Sequence, residues 1–137
     1  MENKLKHLEF IQSIITRMAN NSFILKGWAV TLVAGIFALS NKDTNQFYAI
    51  ISIIPVCVFW GLDSYYLQQE RLFRSLYNNV KAIENNLIDF SLNAKYENFP
   101  REENKYTNCL LSKTELCFYL PLFLVCIIVI VTTSFHP

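Results

Sequence analysis

Apolar and polar positions along this chain follow two rhythms: long uncharged runs, and short 3-4 steps that place apolar side chains on one side of a helix. The run FYAIISIIPVCVFWGL, residues 47–62, carries no charge over 16 positions and passes without a Gly or Pro break into DSYYLQQERLFRSLYNNVKAIENNLIDF. In that second part Phe73, Leu76, Val80, Ile83, Leu87 and Phe90 are spaced 3-4-3-4-3, which predicts one seam of a helix. One long helix is therefore expected over residues 47–90, half in lipid and half in water. A lone apolar seam in water needs a partner, so the seam is expected to hold an oligomer or a partner protein.

The same 3-4 step recurs at Leu8, Ile11, Ile15 and Met18, with Lys4, Lys6, Glu9, Gln12 and Arg17 on the other faces, and predicts an amphipathic helix over residues 1–20. The interleaving of charged with apolar residues is unlike a signal peptide, which needs a continuous apolar core and a small-residue cleavage site. Asn20, Asn21 and Ser22 follow, and their short polar side chains compete for backbone hydrogen bonds, which predicts a kink or helix boundary.

The run FILKGWAVTLVAGIFAL, residues 23–39, would extend about 26 Å as a helix, enough for a bilayer core, and is the first predicted span. Lys26 in its first turn can extend its stem to the headgroups, and Trp28 marks the same interface. Gly27, Thr31 and Gly35, four residues apart, make one face small enough for close helix approach or for a pore lining, to which Ser52, Thr132 and Thr133 could add. The polar segment SNKDTNQ is a short turn, so the first two spans form an antiparallel hairpin. Residues 47–62 are the second span, kinked at Pro55 and anchored by Phe47 and Tyr48 at one end and by Trp60, Tyr65 and Tyr66 at the other. In that hairpin Lys26 and Asp63 fall at one membrane level, which predicts an interface ion pair.

Residues 91–111 are polar, with Pro100 behind Phe99, and read as a loop. Ser112-Lys113-Thr114-Glu115 then has the form of a capping box ahead of the apolar run LCFYLPLFLVCIIVIV, so residues 112–135 are the third span. The expected fold is all-α: an integral membrane protein in one domain, with three transmembrane helices, an amphipathic N-terminal helix and a long cytoplasmic extension of the second span.

Composition supports a membrane protein: 53% of the residues are apolar and 15% aromatic. The net charge of +1 gives no nucleic-acid footprint, but of the 12 Lys and Arg residues only Lys42 lies in the first turn or after the third span. By the positive-inside rule the N-terminus and residues 63–111 are cytoplasmic, and the C-terminus lies outside. The expected location is a bacterial inner membrane.

The candidate chemistry is sparse. Cys57, Cys109, Cys117 and Cys126 form no metal-ligand spacing, and His7 and His136 stand at opposite ends of the chain. Glu102 and Glu103 are neighbours in a polar loop, where a solvated pair outweighs an acid-base pair. The spans carry no ionisable residue at mid-membrane, which disfavours a proton-coupled pump. The reading is of no enzyme, no catalytic residue, no metal and no cofactor, with the lipid bilayer, further copies of the chain and a cytoplasmic protein as partners.

The run ITRMANNSFILKGWAVTLVAGIFAL, the short turn and FWGLDSYYLQQERLFRSLY resemble small bacterial membrane proteins, and in architecture the SLATT type of two-transmembrane effector in prokaryotic conflict systems. The resemblance covers about residues 8–90, and the third span is additional to it. It implies a homo-oligomeric antiviral-defence effector that permeabilises the membrane, with Lys26, Gly27, Trp28, Asp63, Tyr66, Arg71 and Arg74 at the inner mouth of the hairpin. The second function expected from the residues is a non-conducting anchor or adaptor that recruits a cytoplasmic protein, a defence-system protein among the candidates, through the Phe73 to Phe90 seam.

Overall fold

The computed structural model describes residues 2–40 and 46–135, and is helical throughout its regular part. Helix α1 spans Glu2–Ser40 and α2 spans Gln46–Ala82; a short α3, Tyr106–Leu110, precedes α4, Lys113–Phe135. Three of these, α1, α2 and α4, are long and apolar enough to cross a membrane. The 39 residues of α1 extend about 58 Å, nearly twice a bilayer core, so α1 and α2 run together from the membrane into the polar phase. The turn expected between them lies mostly at 41–45, outside the described residues.

The pairing of α1 with α2 is antiparallel along its whole length. At the far polar end Lys4 Nζ donates to the backbone oxygens of Lys81 and Ile83, and at the membrane boundary Lys26 meets Asp63. Two clusters lie along this axis. In the polar half Ile11 and Ile15 of α1 bury against Leu72, Leu76 and Val80 of α2, with Ala94 closing one side and Leu8 and Phe73 partly buried. In the membrane half Ala29 and Val33 pack against Val56 and against Tyr119 and Cys126 of α4.

Three local expectations are corrected. No helix boundary falls at Asn20, Asn21 or Ser22, because α1 is continuous there and Ser22 directs its hydroxyl to Asp63 instead of to its own backbone. The extension of α2 ends at Ala82, not Phe90: residues Asn85–Leu87 form a 3-10 turn, and Phe90 adopts a left-handed backbone with φ of 57°. Ile83, Leu87 and Phe90 therefore leave the helical seam, and Leu87 and Phe90 are exposed. The part of the seam that remains is occupied from within the chain, since Leu76 and Val80, together with Leu72, bury against the α1 stripe. Only this inner part of the seam is already removed from water and closed to an oligomer or partner, while Leu87 and Phe90 at its far end stay open.

The segment read as a loop carries two further 3-10 turns and α3, and it is tied to α2. Gln68 donates to the Asn104 carbonyl, Arg71 to the Glu103 carbonyl, Trp60 Nε1 to the Leu110 carbonyl and Tyr106 to the Gly61 carbonyl. Buried Asn104 donates to Ser75 Oγ at 3.1 Å and to the Phe99 carbonyl at 3.0 Å. These bonds return the chain to the membrane boundary, where α4 begins beside Lys26 and Asp63.

Candidate functional site: a buried charge cluster at the membrane boundary

Each of the three spanning helices supplies one charged side chain to a single place. Ser22 and Lys26, one turn apart, face α2 from α1; Asp63 faces back from α2; Glu115 enters from the first turn of α4. Lys26 Nζ contacts Asp63 Oδ2 closely, Ser22 Oγ at 3.0 Å and Glu115 Oε1 at 3.4 Å, while Ser22 Oγ donates to Asp63 Oδ1. The side chains of Lys26, Asp63 and Glu115 are only 17%, 0% and 1% exposed. Water cannot screen them.

The charge count is uneven: one ammonium faces two carboxyl groups. Because both touch the same nitrogen, the two carboxyl groups lie within about 6 Å of each other, and two negative charges so placed repel by about 3 kcal/mol at an effective dielectric near 20. Asp63 is well served, with contacts to both oxygens. Glu115 Oε2 has no hydrogen-bond partner among the described residues, and neither has the hydroxyl of Tyr119, one turn further along α4 and fully buried.

Aromatic rings close the cluster on the lipid side. Tyr119 stacks on Trp60 at 6.0 Å with the rings nearly parallel, Phe118 meets Tyr119 edge-on at 4.8 Å, and Lys26 Nζ stands 5.9 Å from the centres of both the Phe118 and Tyr119 rings. An ammonium over two ring faces gains a further attraction that hydration would weaken. Trp60, expected as an interface anchor, is thus part of the interior wall.

The other candidate residues do not join this cluster. Trp28 and Thr31 are exposed, and the added methyl of an alanine at Gly27 or Gly35 would meet nothing within 4 Å, so this face of α1 points away from α2 and α4. Thr31 folds its hydroxyl onto the Gly27 carbonyl at 2.8 Å. Ser52 is fully buried. Tyr66 is half-buried, Arg71 binds the Glu103 carbonyl at 2.7 Å, and Arg74 pairs with Glu70 on its own helix at 2.8 Å. Burial pushes the Cys109 thiol above its ordinary range, against the opposing pull of the Arg71 guanidinium.

Glu115 is the residue sequence reasoning passed over. It was assigned to the capping box, and Ser112 Oγ does accept from the Glu115 backbone N–H at 3.4 Å, but the carboxyl group turns to Lys26 instead of to the cap. The signal lay in the level of the three helix ends: Lys26, Asp63 and Glu115 each border an apolar run on its polar side. No family model matches the chain, and no curated protein or solved structure matches it either.

Proposed function

We propose that the chain is a homo-oligomeric effector of the bacterial inner membrane that permeabilises it in antiviral defence, with the N-terminus and the α2–α4 connection in the cytoplasm. One observation carries the assembly: the small face of Gly27, Thr31 and Gly35 is turned outward with open space at both glycines, so its close-approach surface is left for another chain. The resemblance to the two-transmembrane effectors supports the defence role, and the distribution of Lys and Arg supports the orientation. Assembly through lipid-facing helix surfaces places the contacts where a conducting path between copies would have to form.

The test is Gly27→Leu with Gly35→Leu, which thickens the face without touching either buried cluster. Cross-linking and mass analysis in lipid nanodiscs should show loss of the oligomer, and dye release from vesicles should fall with it. An unchanged oligomer would sink this assembly face. The orientation is tested by labelling single added cysteines from the outside, with position 85 expected to be protected.

One observation favours the second reading, an anchor that recruits a cytoplasmic protein. At the far polar tip Leu5, Phe10, Leu87, Phe90 and Leu92 are all exposed, an apolar surface that a monomer in water rarely leaves uncovered. Vesicles that stay sealed while Leu87→Ser with Phe90→Ser abolishes biological activity would favour the anchor.

A further inference from the structure

The charge cluster has three positions for charge and a count that does not close. Asp63 and Glu115 together bring two negative charges to one ammonium, in a place where burial leaves no water to absorb the difference. The groups that face Glu115 are Lys26 from α1, Asp63 from α2, Cys109 from α3 and Tyr119 from its own helix. None supplies a second positive charge. Cys109 stays a neutral thiol, since burial raises it, and the guanidinium of Arg71 is spent on the Glu103 carbonyl and the Cys109 sulfur.

We propose that the cluster is a binding site for one proton, held on Glu115, and that this proton allows α4 to dock against α1 and α2. The choice of carboxyl follows from the contacts. Asp63 receives the ammonium on one oxygen and the Ser22 hydroxyl on the other, so both its oxygens are occupied as acceptors. Glu115 has one oxygen at 3.4 Å from Lys26 and one, Oε2, without a hydrogen-bond partner among the described residues, so a proton there displaces no existing bond. A proton requires no cavity, and among the described residues no third acidic, histidine or cysteine ligand gathers as a metal ion would need. The exchange is simple: carboxylate plus a proton from the adjoining water gives carboxylic acid, with no electron moved. When the proton leaves, the site carries a net negative charge at the junction of three helices, and α4, which packs on the hairpin through Tyr119, Cys126 and the partly buried Phe118, Leu122 and Phe123, is the element to yield. This inference stands on the charge count and is independent of whether the protein conducts.

The experiment is infrared difference spectroscopy of the full chain in nanodiscs across a pH titration. Exposed carboxyl groups lose their acid carbonyl band near pH 4, whereas one band should persist at neutral pH in the wild type. Glu115→Gln and Asp63→Asn each leave one carboxyl for one ammonium, so either should abolish the neutral-pH band. Lys26→Met should roughly double it, because two carboxyl groups without a counter-ion take up two protons. Both amide variants keep the shape of the side chain, and far-UV circular dichroism checks their folding; either alone is enough to decide. Absence of the band in the wild type overturns the proposal, as does a band that survives either amide substitution in a folded protein. So does the third outcome, no acid band together with a higher melting temperature in sodium than in choline at equal ionic strength, which would assign the missing charge to a metal ion.

Discussion

The two halves of the molecule are built from the same pair of helices and obey opposite rules. In the polar half, α1 and α2 bury large aliphatic side chains, Ile11, Ile15, Leu72, Leu76 and Val80, and turn charges outward. In the membrane half the exterior is apolar, with Phe23, Ile24, Val30, Ile54, Val58, Leu124 and Ile128 exposed, and the contacts between helices combine the small Ala29 and Cys126 with Val33, Val56 and the buried Tyr119 ring. The solvent decides. Water expels apolar surface, so the polar half is held by burial of area; lipid does not, so the membrane half depends on close approach and on polar groups with nowhere else to go. Ser52, Asp63, Ser64 and Glu115 are buried there for that reason. A leucine and a lysine thus exchange roles across a boundary that lies near Lys26.

The sharpest way to break this comparison is to remove Lys26. Lys26→Met leaves two buried carboxyl groups without a cation and should cost about 3–5 kcal/mol, the usual penalty for breaking a buried pair. Glu115→Gln should cost far less, and can be neutral, because it leaves Lys26 and Asp63 balanced. The measurement is unfolding in mixed detergent micelles. If Glu115→Gln proved as damaging as Lys26→Met, the count of two carboxyl groups to one ammonium would not be what governs the layer.

Next in size is an exchange of aliphatic truncations. Leu76→Ala in the polar half should cost about 2–4 kcal/mol, from lost transfer free energy plus the cavity left behind. Leu124→Ala on the lipid face should stay within about 0.5 kcal/mol, since the side chain has lipid in either state. Equal losses at the two sites would mean that Leu124 packs against protein, as it would in an assembly through α4.

How far each half was legible in the sequence follows from the same contrast. The polar-half stripe of Leu8, Ile11 and Ile15 was readable because burial in water imposes a 3-4 period. In its partner stripe Leu76 and Val80 are buried and Phe73 is partly buried, with Leu72 joining them, but the apparent period through Ile83, Leu87 and Phe90 continues past the true helix end at Ala82. Periodicity cannot mark a helix end when the following residues happen to be apolar at the right spacing, and the Asn85-Asn86 pair gave the only punctuation. In the membrane half every face is apolar, so the pattern carries no period to read, and only the rare charged residues locate the contacts. Lys26 and Asp63 were found that way. Glu115 was not, because one carboxylate at a helix start has a local explanation in the capping box.

Between the two clusters Asn104 tests the connection that carries the chain from the polar half back to the membrane. Its amide satisfies Ser75 and the Phe99 carbonyl in a fully buried position. Asn104→Ala should cost about 1–3 kcal/mol by removing both bonds and leaving the buried Ser75 hydroxyl without the amide donor. Hydrogen exchange should show the loosening in residues 96–110 while the Lys26 layer stays protected; a spread of the change into α4 would mean that the two halves are coupled through this segment.

The smallest expected effect is at the far polar tip. Lys4 Nζ reaches across from α1 to the carbonyls of Lys81 at 3.1 Å, in the last turn of α2, and of Ile83 at 2.7 Å, just beyond it, where backbone oxygens have no further helical N–H to accept from. The ammonium therefore both caps the helix and sits at the negative end of its dipole. Because the tip is open to water, those carbonyls can exchange the lysine for solvent at little cost, so Lys4→Ala should lower stability by only about 0.5–1 kcal/mol. Faster amide exchange should be confined to residues 79–88, with Ile11 and Leu76 still buried. That confinement is what separates the two modes of holding the hairpin: charge in water trims the end of a helix, whereas apolar area in water, or charge out of water, holds the helices together. A loss from Lys4→Ala as large as that from Leu76→Ala would reverse the assignment for the polar half, placing its stability in the tip contacts and not in the Ile11, Ile15, Leu72, Leu76 and Val80 cluster.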